Sequence, residues 1–281
     1  MKFTSALGCA FTLMMAGCSQ NQSKAPIAPS NAIDSQPPAV AATISGEPAA
    51  AVPEIPSSPA PAATPPQSVA GNTAGEPIDL KGRYLVPIEK LIKSERFPWR
   101  DVPRGTTTLG NVPLQIDGFI CLWGSANAER GMVYPETVDG IPVARKFDAF
   151  YLYHTTFFGA SDGTPVAKLI FRYQDGTFAE NEICFGTHVR DWWQDPAGPK
   201  ELTDLKSKLV WSAANSMAPA NRPNQLQFFI TEITNPHPEF EVATIDLASL
   251  KATPALCIMA MTTGPEGLLN VESKADDKPN E

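Results

Sequence analysis

The sequence has little of what usually makes chemistry legible. There are five cysteines, at positions 9, 18, 121, 184 and 257, and no two form a C-x-x-C pair. That spacing argues against zinc ribbons and thioredoxin-like redox chemistry. Histidine is scarcer still. His154, His188 and His237 are far apart and include no pair at metal-ligand spacing. Positive charge is short: 22 Lys and Arg stand against 30 Asp and Glu, a net charge of −8 with no basic cluster. This balance argues against a phosphate backbone, and so against nucleic acid, as a partner. No aromatic residue occurs between Phe11 and Tyr84, so the first part of the chain has too little to build a core from.

What is present begins with an address. Lys2 precedes an apolar run over residues 6–16, which ends in Met15-Ala16-Gly17-Cys18. The run is too short to span a bilayer and has the length of a signal-peptide core. An apolar residue, two small residues and a cysteine resemble the lipobox of bacterial lipoproteins. The resemblance implies cleavage of residues 1–17, acylation of Cys18 and anchoring in a membrane. Met15 stands where Leu is usual. The alternative is an ordinary secreted protein cut nearby. Ser19, in place of Asp, favours the outer membrane by similarity to Gram-negative lipoproteins, with the chain facing the periplasm or the cell surface.

Residues 18–77 are expected to be a disordered tether. Positions 24–77 hold 12 Pro and 14 Ala, and such a composition cannot bury enough apolar surface to offset its ordering entropy. A polyproline-like spacer of this length reaches on the order of 170 Å at full extension. A folded domain is expected over residues 78–264, and a loose tail over 265–281.

Within that domain the pattern is of short strands separated by turn residues. Strands are expected at 106–109, 112–117, 119–123, 133–138, 146–158, 164–173, 208–214, 225–234, 240–248 and 255–262, with one helical turn near 201–208 and a turn at Asp139-Gly140. The central stretch runs from Thr164 to Trp193. Ala167, Leu169, Phe171 and Tyr173 alternate with Lys168 and Arg172, which is the period of a strand. Asp175-Gly176 suits a two-residue hairpin turn, and Ile183 and Phe185 resume the alternation beyond it. Gly186 then opens a corner that carries His188, Arg190, Asp191, Trp192 and Trp193. These features predict an all-β sandwich of about nine or ten strands.

A series of phrases carries a further resemblance. It includes Pro103-Arg104-Gly105, Leu109-Gly110-Asn111-Val112-Pro113-Leu114, Ile141-Pro142-Val143 and Tyr151-Leu152-Tyr153-His154. It continues with Tyr173-x-Asp175-Gly176-Thr177, Val189-Arg190-Asp191-Trp192-Trp193, Asn235-Pro236-His237-Pro238 and Ile245-Asp246-Leu247. Over residues 102–262 the series resembles a family of bacterial surface β-sandwich domains without an assigned ligand. That family is similar to the galactose-binding-like jelly rolls, to which many carbohydrate-binding modules belong. The resemblance implies a binding or scaffolding role without catalytic apparatus. Structural calcium is common in that superfamily, but no calcium-loop motif is present. Ile233 stands where the resemblance leads one to expect an aromatic.

The candidate site follows from side-chain chemistry. Trp rings can stack on the apolar face of a sugar while Arg, Asp, Asn and His bond its hydroxyl rim. Trp192 and Trp193 with His188, Arg190, Asp191 and Asn235 are that set, with Trp123 and Trp211 as further rings. Packing of these rings into a corner of the core is the plainer alternative. A sugar site requires at least one Trp in solvent at a concave end. Gly159, Ala160, Ser161, Asp162 and Gly163 match G-x-S-x-G in form. A strand rather than a helix is expected after Ser161, so the nucleophile-elbow context is missing. Cys121, Cys184 and Cys257 all fall in expected strands and allow either one disulfide or three buried thiols. The expectation is therefore a non-catalytic envelope binding domain, with carbohydrate as one ligand class. A structural or protein-interaction module without a sugar site is the alternative, and a cryptic hydrolase the weaker one.

Overall fold

The computed structural model describes residues 74–93, 101–194, 198, 201–214 and 225–269. The expected signal segment, Cys18 and nearly all of the expected tether lie outside the described residues. So do residues 270–281. The described part falls in one compact unit, Ser68–Glu281.

In chain order the elements are β1 (Glu76–Pro77), β2 (Val86–Pro87), α1 (Ile88–Ile92), β3 (Gly105–Leu109), β4 (Val112–Ile116), β5 (Gly118–Cys121) and α2 (Ser125–Ala128). There follow β6 (Thr137–Arg145), β7 (Ala149–Phe157), β8 (Pro165–Tyr173), β9 (Phe178–Cys184), β10 (Trp193–Gln194) and β11 (Ser207–Ala214). The last are β12 (Gln225–Thr234), β13 (Val242–Ser249) and β14 (Ala255–Gly264). Eleven of these strands have four or more residues, and all strand pairings are antiparallel. The protein is an all-β sandwich.

One sheet runs β10-β12-β7-β14-β5-β2, with β11 also on β12 and β1 also on β14. The second runs β6-β13-β8-β9, and β3-β4 is a separate hairpin. The chain changes sheet repeatedly, as from β6 to β7, β7 to β8 and β12 to β13. The larger sheet is covered on both faces. Along β7 every residue is buried, and its side chains divide by period 2. Phe150 and Leu152 join Leu169, Phe171, Ile245 and Leu247 between the two sheets. Tyr151 and Tyr153 face the other way and join Val112, Leu114, Ile116 and Phe228 beneath the β3-β4 hairpin.

Several expected boundaries moved. Asp139-Gly140 is not a turn, because β6 runs straight through it. Between Val138 and Ile141 there are three steps on β6 against two on β13, from Leu247 to Ile245. This is a β-bulge, and Gly140 at φ 66° supplies the left-handed residue it needs. Asp246 accepts the Gly140 N–H at 2.7 Å, and Arg83 holds the Asp139 and Gly140 carbonyls. The central hairpin has a three-residue loop, Gln174, Asp175 and Gly176, rather than a two-residue one. Tyr173 N–H donates to Thr177 O at 3.0 Å and Gly176 N–H to Tyr173 O at 3.1 Å. Asp175 Oδ1 accepts the Thr177 N–H and hydroxyl, which fixes this turn over the shorter one. No helical turn forms over 201–208, because the Thr203 and Asp204 N–H groups donate to Gly186 O and Thr187 O instead. Glu76 and Pro77, expected in the tether, pair with Thr263 and Thr262 as β1. The start of the expected loose tail is docked. Gly267 N–H donates to Glu232 at 3.1 Å, Leu268 N–H donates to the Tyr151 hydroxyl at 3.0 Å, and Leu268 and Leu269 pack on the second cluster.

Candidate functional site

The corner expected to carry the site is the crossover from β9 to the larger sheet. Gly186, at φ 77°, turns the chain. A Cβ there would lie 2.3 Å from Asp162 Oδ1, so any side chain would have to push the Asp162 carboxyl aside in a left-handed backbone conformation. Arg190 is buried and holds three segments together. Its guanidinium grips Asp162 with two bonds, of 2.9 and 3.0 Å, and donates twice to Glu201 O at 2.9 and 2.7 Å. Its carbonyl accepts from Thr156 N–H and from the Thr155 hydroxyl, both at 3.2 Å. The Arg190 guanidinium holds the Asp162 carboxyl below the usual carboxylate range.

Trp192 is buried, only 7% exposed. It packs edge-on against Phe157 at 5.5 Å and against Trp193 at 5.8 Å. Trp193 is half-buried, as are Trp123 and Trp211. Among the described residues no Trp is fully exposed, and Trp193 is the corner ring that keeps part of its surface in solvent. Aromatic area was drawn into the core because two rings cap the end of the second cluster where the chain changes sheet. Asp191 accepts the Trp193 N–H at 3.4 Å, while its carbonyl takes the Gln227 amide at 2.8 Å. Burial pushes its carboxyl up to about 7, against backbone N–H donors that lower it only partly.

Asn235 is also structural. Its Oδ1 accepts from the Tyr173 hydroxyl at 2.7 Å and from His237 N–H at 3.1 Å, and its Nδ2 donates to Phe147 O at 2.9 Å. It fastens the β12-β13 connection to the β6-β7 connection and to the end of β8, and none of these bonds reaches the corner. Ser161 sits in the turn between β7 and β8, where its carbonyl accepts from the Thr164 N–H and hydroxyl. Among the described residues its hydroxyl bonds no histidine.

Of the expected set, His188 lines a cleft. A cleft of about 240 Å³ lies where β9, the edge of the smaller sheet, meets β12. Asn181, Glu182 and Ile183 form one wall, and His188 and Asp204 come from the crossover and the loop after it. Lys206 and 231–234 close the other side. His188 Nδ1 accepts the Cys184 N–H at 2.9 Å, so in the neutral ring the proton sits on Nε2. Burial lowers its basicity, with Asp204 opposing. Lys206 Nζ reaches Thr234 Oγ1 at 2.7 Å, Glu266 at 3.3 Å and the buried Glu232 at 3.4 Å. Asn181 Nδ2 is buried without a partner. Glu182 is exposed at the mouth.

The floor of the cleft rests on a chain of polar groups. His154 Nε2 meets Thr231 Oγ1 at 2.9 Å, Thr231 meets Ser207 at 2.9 Å, and Ser207 donates to Asp204 at 2.7 Å. The Thr231 hydroxyl also reaches His188 O at 3.0 Å. Burial, and His188 nearby, push His154 down to about 3, so its ring is neutral. Neutral His154 donates from Nε2, and Ser207 spends its proton on Asp204. Ser207 is itself buried, and its hydroxyl bonds Asp204 and Thr231 rather than a histidine, so this chain of groups braces the cleft floor. Among the described residues no group of three or more His, Cys, Asp or Glu side chains is placed to hold a metal ion.

The sequence alone did not single out Asn181, Glu182, Asp204, Lys206, Thr231 or Glu232. One signal was available: Thr231 and Glu232 interrupt an otherwise apolar run in β12. No family model matches this chain, and no curated protein or solved structure matches it either.

Proposed function

We propose that this chain is a non-catalytic binding protein of the bacterial envelope, held to a membrane by acylated Cys18. Its ligand is a small polyhydroxylated group, such as the end of a saccharide, seated in the cleft between β9 and β12. The observation that carries this reading is the lining of the cleft. Asn181 on the β9 wall offers an unpaired buried donor, Asp204 offers an acceptor from the other side, and the exposed Glu182 stands at the mouth. A vicinal diol, which both donates and accepts, satisfies such a mixture. At about 240 Å³ the cleft is smaller than the roughly 300–1,000 Å³ of drug-sized sites. It fits one ring or the tip of a longer chain. The carboxylates Glu182, Asp204 and Glu232 outnumber Lys206, which disfavours an anionic ligand.

A glycan array probed with the purified chain tests this, beside Glu182→Arg, which changes an exposed side chain at the mouth. Specific binding is expected, falling tenfold or more in the variant. A chain that binds no glycan sinks the proposal. That outcome favours a structural or protein-interaction role, a second reading motivated by the burial of Trp192 and by the polar outer face of the smaller sheet, where Lys168 pairs with Glu180 and Arg172 with Asp246.

A further inference from the structure

Cys121 ends β5 and Cys257 lies in β14. They are 136 positions apart in sequence and directly opposite one another in the ladder. Leu122 N–H donates to Leu256 O at 2.9 Å, which makes Cys121 and Cys257 a non-hydrogen-bonded pair of the antiparallel register. In such a pair the Cα atoms are about 4.5 Å apart and the side chains rise close together on one face. A disulfide needs Cα atoms within about 4.4–6.8 Å. Both side chains point into the same apolar cluster, with Tyr151, Met259 and Phe119 around them, and neither has any exposure. In the structure both are thiols, as is Cys184, which is partly exposed on the edge strand β9.

We propose that Cys121 and Cys257 are the site of a cross-strand disulfide that closes the β5-β14 ladder. The oxidant is a protein or small-molecule disulfide acting by exchange. One cysteine thiolate attacks a sulfur of R–S–S–R and releases one R–S⁻. The second thiolate then attacks the mixed disulfide and releases the other. Two thiols lose two protons and two electrons, and one disulfide is reduced to two thiols. The bond forms before the ladder closes. Once Cys121 is buried, desolvation raises its thiol far above the range in which a thiolate is present. A chain exported to an oxidising compartment meets such oxidants during folding. Cys184 has no cysteine partner across from it, since Pro165 occupies the opposing position.

The test is a disulfide map. The full chain is reduced and unfolded, refolded in mixed reduced and oxidised glutathione, quenched with N-ethylmaleimide and digested. The expected product is one peptide pair joining Cys121 to Cys257, separated by reductant, with Cys184 recovered capped. Separate capping of Cys121 and Cys257, or linkage of either to another cysteine, overturns the proposal. The same map on chain exported from cells, never refolded, reads the outcome independently of refolding yield. As a second measurement, oxidation should raise the urea midpoint of the wild type and of Cys184→Ala by about 1 M. It should leave the Cys121→Ala/Cys257→Ala midpoint unchanged. An equal rise in the double variant contradicts the assignment.

Discussion

Asp191 shows how a residue that looks like a ligand contact becomes a structural group with a measurable cost. Its carboxyl is raised from the usual value to about 7 by burial. The folded state therefore binds its proton more tightly than the unfolded state does. Stability from this group is full below the unfolded value near 4 and is lost as pH rises through about 7. Asp162 has the opposite sign. Its carboxyl is held low by Arg190, so its contribution is present above the unfolded value and lost as pH falls below it. The two act in different windows. Between pH 5 and 8, denaturant titration should find wild-type stability falling by about 2–4 kcal/mol relative to Asp191→Asn, at about 1.36 kcal/mol for each pH step between the unfolded and folded values. Parallel pH profiles for the two proteins would show that the carboxyl is solvated after all. At this scale the identities of the corner residues were legible in the sequence, but not their depth. Arg, Asp and two Trp in a row read most plainly as a packed corner and also as a ligand rim, and the neighbours at 162 and 201 that clamp Arg190 are invisible in the local sequence.

The strands were largely legible because period-2 alternation and turn residues mark them directly. β12 falls where expected, and β7, β8, β11 and β14 lie close to their expected bounds. The misplaced features share a cause. Apart from the hairpin loop, which Asp175 and Thr177 fix locally, each depends on a partner distant in sequence: Asp246 and β13 for the bulge in β6, the corner for the extended chain at 203–204, and Tyr151 and Glu232 for residues 267–268. The crossover itself is an element under tight steric constraint. Gly186→Ala must place a methyl group against the Asp162 carboxyl in a left-handed backbone conformation. Equilibrium unfolding should show a loss of about 2 kcal/mol or more, combining backbone strain with a weakened Arg190–Asp162 pair. A loss below about 0.5 kcal/mol would mean that the crossover yields, and that Arg190 is not the clamp inferred from its bonds to Asp162 and Glu201.

For the whole molecule, the two covered faces of the larger sheet explain why most of the aromatic residues among those described are buried or half-buried, with Phe178 and Phe240 the exposed exceptions. The β3-β4 hairpin and the residues after β14 form a third layer over Tyr151, Tyr153 and Phe228. A chain ending at Gly264 loses Leu268 and Leu269 from that layer, together with the partners of Lys206, Glu232 and Tyr151. It should be less stable than a chain ending at Leu269 by about 2 kcal/mol, the scale of one partly buried leucine and its lost bonds. Equal urea midpoints would return residues 265–269 to the role of a loose tail. The fold class was readable because a sandwich is written in local periodicity. The cleft was not, since its walls come from β9, the crossover, the 204–206 loop and β12, and only folding brings them together. This cleft, and not the aromatic corner, is the proposed seat of the ligand. Glycan binding by three proteins side by side decides between the two places: wild type, Glu182→Arg and Trp193→Ala, each shown to be folded. Binding should drop tenfold or more in Glu182→Arg and persist in Trp193→Ala. Binding that survives Glu182→Arg and disappears in Trp193→Ala would overturn the assignment and return the site to the corner.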